Sequence, residues 1–212
     1  MSDVLDRLAA LRVIPVLTAE SADEAERACE ALLSGGLTSV EITFRTDAAA
    51  DAIRRVAGTD DLLVGAGTVQ SPDQLKRALD SGARFAVAPG TNAAVAEAAR
   101  ERDVLFVPGI ATPSEIERAR TLGCRVLKVF PASLLGGPGF VKAVAPVYPD
   151  VRFLPTGGIN PDNLASYLEL PSVLACAGTW ICERALLHER RFDEVERRAR
   201  DAVELAGAAA VA

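Results

Sequence analysis

Eight short apolar runs alternate with amphipathic segments along the 212 residues, and this pattern predicts an α/β chain folded as a (β/α)8 TIM barrel. No Gly-x-Gly-x-x-Gly follows the first apolar run, which argues against the open doubly wound sheet assembled from the same units. The length suits one compact core, and neither a linker nor a low-complexity stretch interrupts the units. Residues 1–212 are therefore expected to form a single domain.

The elements follow in order. An amphipathic segment at 3–11 precedes the first strand and is expected as an extra N-terminal helix. Strands are expected at 13–17, 40–44, 62–66, 85–88, 105–107, 126–130, 152–154 and 173–177. They are short and rich in Val, Leu, Ile and Phe, as parallel strands covered on both faces are. Helix starts are marked by the N-cap residues Ser21, Ser71, Thr112 and Asn160, and the last three precede Pro at the first helical position. Gly35-Gly36, Gly58, Gly82 and Gly123 mark helix ends. The tail, 206–212, reads as a frayed helix end.

Composition removes several classes of function. Half of the residues are apolar and a quarter are charged, as in ordinary globular proteins. A net charge of -6 and a pI of about 5.0 give no basic face for nucleic acid. No run approaches the roughly 20 apolar residues of a membrane span. Acidic residues stand near the N-terminus where an export signal is basic, so a cytoplasmic location is expected. Cys29, Cys124, Cys176 and Cys182 form no CxxC pair and read as reduced thiols, most of them core fillers. His188, the one histidine, cannot build a His-based zinc site, and neither a metal nor a cofactor is expected. His188, Glu183-Arg184 and Arg190-Arg191 read as solvated surface, and Trp180 as core.

In a barrel, the chemistry sits at the C-terminal strand ends. Period-two alternation along Val40-Glu41-Ile42-Thr43-Phe44-Arg45 sends Glu41, Thr43 and Arg45 to the face opposite Val40, Ile42 and Phe44, and so into the barrel. Buried charges are costly even when paired, which favours a functional set over a purely structural ion pair. Lys128 is the only charge in Val126-Leu127-Lys128-Val129-Phe130 and shares its face with Val126 and Phe130. Desolvation disfavours an ammonium, and a neutral amine is what Schiff-base chemistry with a ketone requires. A carboxylate such as Glu41 can then move protons on and off carbon. Gly157-Gly158 and Gly178-Thr179 follow the last two strands, where backbone N–H groups and helix N-termini cradle phosphate. Tight turns alone would also explain those glycines.

These residues resemble the KDPG/KHG aldolase family, the 2-keto-3-deoxy-6-phosphogluconate and 4-hydroxy-2-oxoglutarate aldolases. Gly36-Leu-Thr-Ser-Val-Glu41-Ile-Thr-Phe-Arg45 is similar to its glutamate signature, and Gly123-Cys-Arg-Val-Leu-Lys128-Val-Phe-Pro-Ala132 with Gly136 to its Schiff-base signature. Gly65-Ala-Gly-Thr68 and Pro155-Thr-Gly-Gly158 extend the likeness over nearly the whole chain. Val129 departs from the family's usual Leu or Phe but faces away from the site. The resemblance implies a class I aldolase, a lyase needing no metal, with Lys128 as the Schiff base and Glu41 as general acid/base working through water. It implies that Arg45 and Thr68 hold the pyruvate carboxylate. Gly157, Gly158, Gly178 and Thr179 would hold the distal phosphate, with Thr179 standing where Ser is usual. It further implies a phosphorylated 2-keto acid substrate, pyruvate as product, a homotrimer, and a place in Entner–Doudoroff or uronate breakdown. Thr156 favours the gluconate over the galactonate series, because a hydroxyl can distinguish C4 epimers. Alternatives are the galactonate epimer or 4-hydroxy-2-oxoglutarate as substrate, a phosphosugar isomerase or epimerase without covalent chemistry, and an inactive binding barrel.

Overall fold

The computed structural model describes residues 2–209. The described chain begins with α1 (Ser2–Leu11), and the tail at 210–212 lies outside the described residues. Strand and helix then alternate. β1 (Val13–Leu17), β2 (Ser39–Thr43), β3 (Leu63–Gly67), β4 (Phe85–Val87) and β5 (Leu105–Val107) are separated by α2 (Ala22–Ser34), α3 (Ala49–Val56), α4 (Pro72–Asp80) and α5 (Ala93–Glu101). β6 (Gly109–Ile110), α6 (Pro113–Thr121), β7 (Val126–Val129), α7 (Pro138–Val144), β8 (Arg152–Pro155), α8 (Pro161–Leu168) and β9 (Cys176–Gly178) follow. α9 (Arg184–His188) and α10 (Phe192–Ala208) complete the order.

Every strand pairing is parallel. A curled six-stranded sheet runs β5-β4-β3-β2-β1-β9, and a three-stranded sheet runs β6-β7-β8. The fifth expected strand, 105–107, matches β5, and the short β6 beyond Pro108 was not expected. Proline has no N–H to give a neighbouring strand, yet its carbonyl still accepts from Lys128 N at 2.9 Å.

The four expected N-caps all cap helices. Ser21, Ser71, Thr112 and Asn160 accept from backbone N–H groups of their first turns, and Thr112 and Asn160 complete capping boxes. Gly36, Gly82 and Gly123 take positive φ just past helix ends. Gly58 does not: α3 stops at Val56, and the left-handed residue of that turn is Asp61.

Alternation divides the apolar side chains into two compartments. Val13, Leu17, Val40, Ile42, Leu127 and Val129 face the helices, while Ile14, Val16, Leu63, Phe85, Val107, Val126 and Leu154 form a separate cluster on the other face. Val4 and Leu8 of α1 join this second cluster and thereby cover one end of it. Leu8→Ala is expected to lose about 2–5 kcal/mol of stability through the cavity it leaves, read by urea unfolding.

Cys29, Cys176 and Cys182 are buried and unpaired. Burial pushes the thiols of Cys29 and Cys176 up to about 12, and that of Cys182 up as well. Trp180 is buried and His188 exposed. Among the described residues, no helix is long and apolar enough to cross a membrane.

Candidate active site

The strands of both sheets bring polar side chains to their C-terminal ends. Glu41 is 1 % exposed and Lys128 4 %. β2 and β7 supply them from different sheets, and Lys128 Nζ lies 3.5 Å from Glu41 Oε1. That length is the limit of a hydrogen bond, so the pair is a loose one. The second carboxylate oxygen, Oε2, is buried without a partner. A buried charge is usually fully hydrogen-bonded, and an orphan oxygen marks a place where a ligand group or water belongs. The Phe130 ring centroid lies 5.2 Å from Lys128 Nζ, which gives the amine a second neighbour.

One glycine makes room for this pair, and another for the Trp180 ring. A Cβ on Gly67 would fall 2.2 Å from Glu41 Oε1, so the carboxylate can lie across β3 only because residue 67 has no side chain. Gly67→Ala is therefore expected to displace Glu41 and lower turnover on the order of 10²-fold, as loss of a correctly placed acid/base does. Steady-state kinetics beside a melting curve separates this from simple unfolding. Gly178 likewise leaves room for the Trp180 ring, 2.1 Å from a virtual Cβ.

Thr68 follows β3 with φ +59, a rare conformation for a β-branched residue, and it is half-buried. Thr156 is buried, and its hydroxyl donates to the Leu154 carbonyl at 3.3 Å. Its backbone bridges Ala177 of β9, which brings the loops after β8 and β9 side by side. Gly157 and Gly158 both adopt positive φ, near +93° and +77°. Gly158 opens onto Ser133, whose hydroxyl would meet a Cβ there at 2.0 Å. Gly178 ends β9, and Thr179 beyond it is exposed.

Arg45 departs from the expectation of alternation. β2 ends at Thr43, so the pleat lapses before residue 45, and Arg45 is exposed. It lines a surface hollow with Phe44, Thr46, Arg77 and Arg184.

Other members of the site escaped the sequence reading. Ser133 comes to Gly158 through a turn that follows β7, and the amide of Ser133 donates to the Gly157 carbonyl at 3.1 Å. Its place beside Lys128's strand was the available signal. Thr18 pairs with Thr43 across β1 and β2, and only the register between strands reveals that. Among the described residues, no group of three or more His, Cys, Asp or Glu side chains is arranged to hold a metal ion.

A parallel α/β fold whose strands bury an amine against a carboxylate defines an enzyme equipped for carbonyl chemistry. The sequence model of the KDPG and KHG aldolases matches residues 4–198. A 2-dehydro-3-deoxy-phosphogluconate aldolase from Treponema pallidum is 41 % identical over 208 residues, covering 98 % of this chain and 99 % of that one. The 2-keto-3-deoxy-6-phosphogluconate aldolase of Zymomonas mobilis, solved with 3-phosphoglycerate, superposes with a TM-score of 0.91 at 34 % identity, covering 97 % of each chain. KDPG aldolase from Legionella pneumophila, with pyruvate captured as a covalent carbinolamine intermediate, gives 0.90 at 34 % identity, covering 94 % of this chain and 97 % of that one. The chain belongs to the KDPG and KHG aldolase family.

Proposed function

We propose that this protein is a class I aldolase that cleaves 2-dehydro-3-deoxy-6-phosphogluconate to pyruvate and glyceraldehyde 3-phosphate. The same machinery would cleave 4-hydroxy-2-oxoglutarate to pyruvate and glyoxylate. The observation that carries this reading is the buried Lys128–Glu41 pair, an amine beside a carboxylate with one unpartnered oxygen.

The steps follow from those two groups. The Lys128 amine adds to the C2 carbonyl of the substrate to give a carbinolamine, and loss of water leaves an imine. Glu41 accepts the proton of the C4 hydroxyl through water, the C3–C4 bond breaks, and the aldehyde leaves. The electron pair of that bond remains as an enamine, with the imine nitrogen as its sink. Glu41 returns the proton to C3, and water hydrolyses the imine to free pyruvate and Lys128.

Binding roles follow by the same reading. Thr68 and Arg45 take the carboxylate; Arg45, exposed in this conformation, would have to turn inward. Gly157, Gly158, Gly178 and Thr179 take the phosphate, supported by the two positive-φ glycines whose amides are free to converge on an anion. The Thr156 hydroxyl donates to Leu154 O at 3.3 Å, a long bond, and with substrate in place it would turn to donate to the C4 oxygen, whose own proton goes to Glu41 through water. Thr156→Val is expected to cut the preference for the gluconate over the galactonate substrate about tenfold, roughly one hydrogen bond, in a competition assay.

The two sheets are proposed to form one closed eight-stranded barrel and one domain. β5 and β6 then count as a single strand broken at Pro108. Supporting this, Leu174 N donates to Phe153 O at 2.8 Å, and Thr156 bridges Ala177 between β8 and β9. A homotrimer is proposed from the family likeness; the exposed side chains Leu134 and Val147 supply apolar surface for such contacts. Four unpaired cysteines suit a reducing compartment, which supports a cytoplasmic location.

The test is pyruvate release from 2-dehydro-3-deoxy-6-phosphogluconate, followed through NADH oxidation by added lactate dehydrogenase. Turnover on the ordinary scale of enzymes, about 1–10³ s⁻¹, is expected. No pyruvate from this substrate, its galactonate epimer or 4-hydroxy-2-oxoglutarate would overturn the reading.

A further inference from the structure

The mouth of the site holds a hydroxyl pair to which the steps above give no role. Thr18 and Thr43 meet at 2.8 Å between their Oγ1 atoms, at the ends of β1 and β2. Thr43 is 1 % exposed and Thr18 8 %. The register pairs Val16 with Glu41 and Leu17 with Ile42, so the two threonines form the next rung towards the mouth. Val16 belongs to the cluster opposite the helices and Leu17 to the helix-facing one, which puts Thr18, Thr43 and Glu41 on one face.

A count of protons and lone pairs gives the pair its meaning. Two hydroxyls carry two protons, and their mutual bond uses one. Among the described residues, neither hydroxyl has another partner, so one donor is left over. One pleat away, Glu41 Oε2 is an acceptor left over, also buried. The Glu41 side chain leans towards that rung: its Cγ, Cδ and Oε1 lie within 2.8 Å of where a Cβ on Gly67 would stand, and the register pairs Gly67 with Thr43. A water between the two groups accepts from the spare hydroxyl and donates to Oε2. The spare donor and the spare acceptor are therefore complementary.

We infer that the Thr18–Thr43 pair is a positioning element that holds, together with Glu41 Oε2, the water through which Glu41 exchanges protons with the substrate. Thr43 orients this carrier from the buried side, and Thr18 fixes the Thr43 hydroxyl. Neither threonine touches the reacting carbon. The inference rests on the Schiff-base reading of Lys128 and deepens it.

The experiment separates imine formation from proton transfer. Pyruvate with borohydride reports the imine at Lys128, and exchange of pyruvate C3 protons in D2O, followed by NMR, reports proton transfer. Thr43→Val is expected to keep the trapped adduct at the level of the unchanged protein while slowing exchange on the order of 10- to 100-fold. Thr43→Ser, which restores the hydroxyl, should recover exchange to within a few-fold. Thr18→Val should slow exchange in the same direction, and it serves alone if Thr43→Val does not fold. Unchanged exchange in the valine variants, or a parallel fall of adduct and exchange that serine does not rescue, would overturn the inference. An unchanged protein that traps no pyruvate would overturn the Schiff-base reading first, and this inference with it.

Discussion

Lys128→Arg is expected to lower turnover on the order of 10⁴-fold or more, as removal of a covalent catalyst does, with no adduct formed from pyruvate and borohydride. Arginine keeps a cation opposite Glu41, so the buried carboxylate is not left unpaired in the way that Lys128→Ala would leave it. Breaking a buried pair by removing one partner typically costs about 3–5 kcal/mol, and a variant that loses the charge could fail for that reason alone. A guanidinium stays protonated and cannot form the imine. Substantial turnover by a folded Lys128→Arg protein would favour an isomerase or epimerase that uses Glu41 and the glycine loops without a covalent step. Circular dichroism beside the kinetics establishes that the variant is folded.

Glu41→Gln should separate the two halves of the chemistry. The amide matches the carboxylate in shape and fits over Gly67, where a Cβ would not. Imine formation at Lys128 should persist, so pyruvate is still trapped. Cleavage and C3 proton exchange should fall about 10²–10⁴-fold, the usual contribution of a general acid/base. The amide can donate to the oxygen that Oε2 would accept from, but it cannot carry the proton between C4 and C3. Loss of trapping in parallel with exchange would mean that Glu41 only supports Lys128, and the carboxylate would lose its assigned role.

Much of this site is legible in the chain because strand alternation is a local rule. Glu41 and Lys128 each stand in apolar runs, and period two sends both away from the helix-facing side chains. The two residues are 87 apart in sequence. Nothing local says that they meet; the order of parallel strands brings them together. Arg45 shows the limit of the same rule. It is valid only while the backbone stays pleated, and β2 ends two residues before it.

Other features depend on relations between elements. The Thr18–Thr43 bond follows from the β1–β2 register, which no single segment encodes. The need for glycine at 67 arises from the direction taken by Glu41, and the approach of Ser133 to Gly158 from a turn beyond β7. Residues 3–11 read as amphipathic, but their seat against Ile14, Val16 and Leu154 depends on how the sheet curls. Helix caps were the most readable feature, since Ser21, Ser71, Thr112 and Asn160 bond within their own first turns.

The central claim is that Lys128 forms an imine with a 2-keto acid, and borohydride reduction in the presence of pyruvate tests it most directly. Digestion and mass spectrometry should find the reduced pyruvyl adduct on the peptide that carries Lys128, at about one per chain, and none on Lys76 or Lys142. A folded protein that gives no adduct, or gives one only at another lysine, would contradict the account.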